Sequence, residues 1–154
     1  MENLKIEFLG DMVALLDWTE ILDLGATQHG NRQIVYVKGG TFDGPKLKGV
    51  VLPGGGDWFV RRPDGVVELD VRIVLRTDDN QLIYTYYRGI NDATLEVAIK
   101  IISGETIDSS KYYFRITPVF ETASVKYGWL NRIVAVGIGS IIPAGVAYRI
   151  YAVL

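Results

Sequence analysis

The 154-residue sequence predicts a mainly β protein, a closed antiparallel β-barrel carrying one short α-helix. Three observations predict it. Apolar and polar residues alternate with period two in several long runs, the pattern of strands with two unlike faces. Glycines cluster between those runs, at Gly39/Gly40, Gly44, Gly49, Gly54 to Gly56 and Gly137/Gly139, where turns and bulges need them. Only one stretch has its apolar residues at helical spacing, and many short strands with a single helix suit a barrel.

The elements follow in order. Strands are expected over Leu4–Leu16, Arg32–Gly40, Leu47–Leu52 and Trp58–Arg61. Val67–Thr77 is the clearest of all: Val67, Leu69, Val71, Ile73 and Leu75 alternate with Glu68, Asp70, Arg72, Val74 and Arg76. Thr77-Asp78-Asp79-Asn80 then reads as a tight turn into a strand over Gln81–Gly89, because Asp and Asn tolerate left-handed backbone. Asp92–Ser103 places Leu95, Ile99 and Ile102 at helical spacing, with Asp92 as N-cap and Gly104 just past the end, giving a helix of about three turns. Tyr112–Glu121 alternates again, and Pro118 within it signals an edge or a bulge. Arg132–Ile138 and Gly145–Leu154 complete the set, and residues 1–154 read as one domain without repeats or linkers.

Composition excludes whole classes of chemistry. Hydrophobic residues are 49% of the chain and charged residues 22%, too apolar for disorder, and no apolar run is long enough for a membrane helix. The chain has no cysteine, which removes disulfides, thiolate metal sites and a cysteine nucleophile. His29 is the only histidine, so no site can use two imidazoles. A net charge of -2 argues against a nucleic-acid surface. Met1–Leu9 mixes Lys5 and Glu7 into its apolar residues and shows no leader, so a cytoplasmic location is expected, with neither nucleic acid nor membrane as partner.

Six blocks follow one another along the chain: GGTFDGPKLKG at Gly39–Gly49, VLPGGGDW at Val51–Trp58, LDVR at Leu69–Arg72, TDD at Thr77–Asp79, YYFRITPVFET at Tyr112–Thr122 and YGWLNR at Tyr127–Arg132. Together they resemble the DUF3237 family of uncharacterised small bacterial and fungal proteins, the UPF0311 type. The resemblance implies a barrel similar to those of allene oxide cyclase and dirigent proteins, lipocalin-like in holding an apolar small molecule and using no metal or organic cofactor. It implies no defined reaction. Asn80 stands where the family usually has glycine, and Ile73 where an aromatic is commoner.

Several motifs have plain readings. PGGGDW lacks the Lys and Ser/Thr of a phosphate loop, so it reads as a glycine bend that sets Asp57 and Trp58 at a barrel mouth. Asp78/Asp79 offers too few oxygens for calcium and no metal site is expected. His29 falls in a polar surface loop.

The informative set is polar and lies on alternating strand positions: Asp70 and Arg72; Tyr84, Tyr86 and Arg88; Arg115, Thr117 and Glu121. It is joined by Trp129 and Asn131 from the connecting segment. Two arrangements give the same alternation. In one the polar face is outside and Leu69, Val71, Ile73, Phe114 and Ile116 fill the lumen. In the other the polar face lines a pocket. Periodicity alone favours the first; the resemblance favours the second, because these residues fall in its motif blocks. The second makes Asp57, Asp70, Arg72, Arg115 and Glu121 catalytic candidates, with carboxylates moving protons and arginines holding a developing enolate or phenolate. Trp58, Tyr84, Tyr86, Arg88, Thr117, Trp129 and Asn131 become ligand-binding candidates. It also turns Leu69, Val71, Ile73, Leu75, Phe114 and Ile116 outward, which predicts a homo-oligomer to cover them. The expected activity is a cofactor-independent isomerase or cyclase acting on a small oxygenated apolar molecule. A non-catalytic ligand carrier and a structural oligomer are the alternatives.

Overall fold

The computed structural model describes residues 2–154. Its strands are β1 (Ile6–Leu16), β2 (Leu22–Thr27), β3 (Gly30–Asp43), β4 (Lys48–Val51), β5 (Gly56–Asp57), β6 (Val60–Arg61), β7 (Val67–Thr77), β8 (Leu82–Asn91), β9 (Phe114–Glu121), β10 (Val134–Ile142) and β11 (Gly145–Val153). They run in the order β1-β11-β10-β9-β8-β7-β4-β3, and β1 pairs with β3 to close the sheet. β4, β5 and β6 lie in turn along β3 and β7 and act as one interrupted strand, so the barrel has eight strands, all antiparallel. β2 pairs outside this ring with the first part of β3. Among the described residues no helix is long and apolar enough to cross a membrane.

The helix α1 (Leu95–Ile102) is shorter than its periodicity implied. Thr94, not Asp92, is its N-cap and accepts the Val97 N–H at 3.2 Å. Asp92 instead accepts the N–H of Tyr113, tying the end of β8 to the start of β9. β2 was not legible because its residues alternate poorly, and five of its six are exposed. Pro118 sits at a local edge of the sheet and not in a bulge. It faces Tyr87 of β8, but β9 and β10 pair only at Ile116 and Arg115, so the missing N–H falls where that ladder has ended.

Strand parity decides what fills the barrel. On β7, Val67, Leu69, Val71, Ile73, Leu75 and Thr77 are all buried, while Arg72 and Arg76 are exposed and Asp70 and Val74 half-buried. β9 alternates without exception, with Phe114, Ile116, Pro118 and Phe120 inside. The strand faces that fill the lumen are therefore the mainly apolar ones, as periodicity alone favoured. The arrangement with an internal polar face does not hold, because those side chains share parity with the solvent-facing positions, and with it goes the area argument for self-association.

The inner wall fits large residues against missing ones. A Cβ on Gly139 of β10 would come within 2.5 Å of the Phe114 ring, and one on Gly137 within 2.7 Å of Ile116. One half of the lumen is solid, filled by Met12, Phe42, Ile73, Leu75, Ile83, Phe120, Leu130 and Ile150. The other half, towards α1, is hollow.

Thr85 on β8 is fully buried, and its hydroxyl has no partner. An unmade hydrogen bond of this kind costs about 1–3 kcal/mol, so the near-isosteric Thr85→Val should stabilise the fold by about 1 kcal/mol. Chemical denaturation of the two proteins checks this, and a less stable valine variant would show that the hydroxyl has a role.

Candidate functional site

The hollow half is a cavity of about 330 Å³, within the range of small-molecule sites. Ala14, Leu16, Val35, Val37, Phe59, Leu69, Val71, Phe114, Ile141 and Val146 give its wall an apolar surface. Its mouth lies beside α1, where Leu95, Ala98, Ile99 and Ile102 meet Trp18 and Ile21 from the other side. Leu95 and Ile99 are each more than half exposed although they line it.

Asp57 is the one carboxylate in that wall, and its position follows from register. The glycine bend before it inserts two extra residues between Val51, opposite Leu75, and Gly56, opposite Arg72. Two is the one small insertion that keeps parity, so the inward series continues through Val51, Asp57, Phe59 and Arg61. Gly54 supplies the positive φ of 106° that the bend needs. Asp57 then pairs with Val35 on one side and Val71 on the other, both buried and inward.

The carboxylate also explains why β5 and β6 are separate. Both hold the same register on β7, which sets Trp58 opposite Asp70. The Trp58 N–H donates normally to the Asp70 carbonyl at 3.0 Å. The return bond is missing, because the Asp70 N–H donates to Asp57 Oδ1 at 2.9 Å. The Trp58 carbonyl released in this way accepts from Arg32 Nη1 at 2.7 Å. Asp57 is thus held by a backbone donor diverted from the sheet, while Oδ2 has no hydrogen-bond partner among the described residues and is left to the cavity.

Electrostatics give Asp57 an uncommon titration. Burial pushes its carboxyl up to about 7; the Asp70 N–H opposes the rise, the Asp70 carboxylate adds to it, and the Arg32 guanidinium opposes it. The area left to Asp57 is what it shows the cavity, and protein surrounds it otherwise. Tyr87 lies in the same cross-strand row, one strand beyond Val71. Its ring meets that of Tyr148 at 5.4 Å, edge to face, and their hydroxyls interact. Burial holds both phenols above their usual range, and the Asp57 charge adds to this, so both stay protonated as donors.

The other sequence candidates lie elsewhere. Arg72, Arg115 and Glu121 are exposed on the outer wall and form no enclosed cluster, because they share parity with solvent-facing positions. Arg115 lies over the Tyr113 ring at 4.7 Å. Asp70 and Arg88 approach to 3.7 Å on the outside, in a shallow cleft with His29, Arg32, Arg62, Asp64 and Glu68. Arg62 is paired there with Asp64 and Glu68. Tyr84 and Tyr86 pack together on the outer wall, and Thr117 is exposed beside them on β9. Trp58 turns outward onto Tyr36, at 6.4 Å.

Trp129 and Asn131 belong to the short 3-10 segment Gly128–Arg132, whose buried Leu130 sits in the solid core. Asn131 has a structural task, accepting the Thr122 N–H at 2.8 Å and donating to its carbonyl at 2.9 Å. Asp79 does similar work, taking hydrogen bonds from Thr77, Lys126 and Tyr127 that hold its carboxyl well below the usual range. These two residues account for part of the TDD and YGWLNR blocks.

Of the sequence candidates, then, Asp57 alone lines the cavity. Tyr87, Tyr148, Arg61, Asn91 and Gln33 line it unannounced. Parity contained the signal for Tyr87, which alternates in step with Ile83 and Thr85 rather than with Tyr84 and Tyr86. Because Arg115 faces solvent, Arg115→Met should change neither ligand binding nor thermal stability by a measurable amount, surface changes being worth within about 0.5 kcal/mol. A large loss of binding in titration calorimetry would return the polar face to the site.

Comparison with known proteins gives a consistent result. The family described as "Protein of unknown function (DUF3237)" matches residues 4–153. A UPF0311 protein of Clostridium acetobutylicum is 39% identical over 122 residues, covering 79% of this chain and 77% of that one. The crystal structure of a conserved protein of unknown function from Rhodopseudomonas palustris superposes with a TM-score of 0.91 at 29% identity, over all of both chains. An enzyme from Penicillium herquei shares the fold, with a TM-score of 0.74 at 18% identity over 100% of this chain and 97% of its own.

Proposed function

We propose that this chain, which belongs to the DUF3237 family, binds a small oxygenated apolar molecule in the hollow half of its barrel and moves a proton on it. The observation that carries this reading is Asp57: a lone carboxylate facing an apolar cavity with one oxygen unengaged, poised to titrate near neutrality. A base works best when its pKa lies near the working pH, and burial places this one there.

The chemistry balances within the substrate. Asp57 Oδ2 accepts a proton from an acidic C–H or O–H of an enone, phenol or related molecule. The electron pair left behind becomes an enolate or phenolate. The Tyr87 and Tyr148 hydroxyls, on the same wall, donate hydrogen bonds to that oxygen and take the role the sequence assigned to arginines. Asp57 then returns the proton to a different atom, which is an isomerisation, or to a product whose ring closed by internal attack, which is a cyclisation. No electron acceptor enters either sequence. A carrier that binds without turnover uses the same cavity.

Native mass spectrometry of freshly purified protein, followed by turnover of the retained molecule or of a panel of enones and phenols, tests the proposal. Turnover should rise with pH through one ionisation near 7, since only the charged carboxylate accepts the proton. Binding without turnover at any pH would leave the carrier, and a lumen that binds nothing would remove both.

A further inference from the structure

The wall of the cavity is polar at two levels and apolar between them, and the register locates both. At depth, Asp57, Val71 and Tyr87 form one cross-strand row. Four residues along each strand towards the mouth, Arg61, Val67 and Asn91 form another with the same spacing. The row between them contains Phe59, Leu69 and Gly89, which carry no charge. At about 3.3 Å per residue the two polar rows stand about 13 Å apart along the strand.

Arg61 is unusual among the cations of this protein. It is half-buried, and among the described residues it is the only cation in the cavity wall and has no carboxylate paired with it. One nitrogen, Nη1, donates to the Gly65 carbonyl at 2.9 Å and closes the turn before β7. Burial lowers its pKa with no acidic neighbour to offset the loss. The acids that follow it in sequence, Asp64 and Glu68, are both held by Arg62 on the outer wall. A guanidinium has five donors in a planar fork, so most of this one is unspent. Asn91 faces the same level of the cavity. Its Oδ1 accepts the Ala93 N–H at 3.0 Å, which leaves the amide NH2 as the half that can serve a ligand.

We infer that the ligand is a monocarboxylate, with its carboxylate at the mouth on Arg61 and Asn91, its apolar body against Phe59 and Leu69, and its enolisable or phenolic end at Asp57 and Tyr87. This rests on the reading of the cavity as a ligand site and adds the class of molecule. One planar fork and one amide match the two oxygens of a single carboxylate. A dianionic headgroup would need a second cation, and Arg32 and Arg62 lie on the far side of the wall. The arrangement also fixes direction: the exposed Leu95 and Ile99 admit the apolar body, and the charged end stays last, near water.

Titration calorimetry at about pH 6, where a carboxylate is charged and a phenol is neutral, tests this with 4-hydroxycinnamate and its methyl ester. The two probes share a phenol and an apolar body and differ in the carboxylate. The native protein should bind the acid at least about tenfold more tightly than the ester, the scale of a charge-assisted pair. In Arg61→Gln that preference should vanish, the acid losing far more affinity than the ester, and Arg61→Lys should keep part of it. Equal binding of acid and ester by the native protein, or a preference that survives in Arg61→Gln, overturns the carboxylate assignment and leaves the cavity reading standing. Failure of the native protein to bind either probe overturns both. Thermal unfolding of each variant separates lost recognition from lost folding, and Arg61→Lys decides the matter if Arg61→Gln does not fold.

Discussion

Asp57→Asn should lower turnover by about 10²–10⁴-fold, the usual contribution of a positioned acid or base, while ligand affinity changes little. The amide keeps the shape and its oxygen can still accept the Asp70 N–H, so the diverted ladder bond survives. Stability should move the other way. The folded protein holds the Asp57 proton up to about pH 7, whereas an unfolded aspartate releases it near 4. Between those values the native state binds more protons, so stability falls as pH rises through the window. Of the groups that act on the carboxyl, Arg32 of β3 and Asp70 of β7 have their charged ends on the outer side of the wall, and burial keeps the Tyr87 and Tyr148 phenols inside it protonated throughout the window. Above about pH 8 the native protein pays the full cost, of order 2 kcal/mol after allowance for water in the cavity. Asparagine removes it. The variant should therefore melt higher than the native protein by about 4–8 °C at pH 8.5 and by clearly less at pH 5, where only part of the cost has accrued. Equal melting at both values would mean that the carboxylate is adequately solvated.

Leu75→Ala should cost about 3–4 kcal/mol, and Leu69→Ala about half of that. The two leucines lie on the same face of β7, both buried, six residues apart. Leu75 is packed on all sides in the solid half, so truncation leaves a void that its neighbours cannot close. Leu69 already borders the cavity and has fewer partners to lose. For a chain of this size the first variant should melt about 6–16 °C lower and the second about half as far. Equal costs in denaturant unfolding would contradict a lumen that is solid at one end and hollow at the other.

The barrel was legible because alternation with period two is a local property. Val67–Thr77 and Tyr112–Glu121 have no other reading, and their turn residues bracket them. The inner face of a barrel was harder to assign, since period two separates two faces without saying which is inside. There the plain argument, that apolar faces are buried, was the better guide. Motif blocks misled because a motif preserves whatever is needed, and Asn131 and Asp79 are needed to fasten turns. Asp57 was found through the glycine bend, although at a mouth rather than within the wall. Its depth depends on the bend inserting two residues, a count that only the pairing partners on β7 reveal. Arg61 and Asn91 become neighbours only through Val67, which lies between them across three strands. No spacing along the chain encodes that.

The carboxyl titration of Asp57 itself is the most direct test of the account. With aspartate labelled at the side-chain carboxyl carbon, its resonance can be assigned by its absence in Asp57→Asn and followed by NMR from acid to alkaline pH. The account predicts one aspartate with a midpoint near 7, well separated from the rest, and a midpoint that moves when the cavity is filled. A midpoint near 4 that is indifferent to ligand would place Asp57 in water, and the proton chemistry proposed for this barrel would have no base.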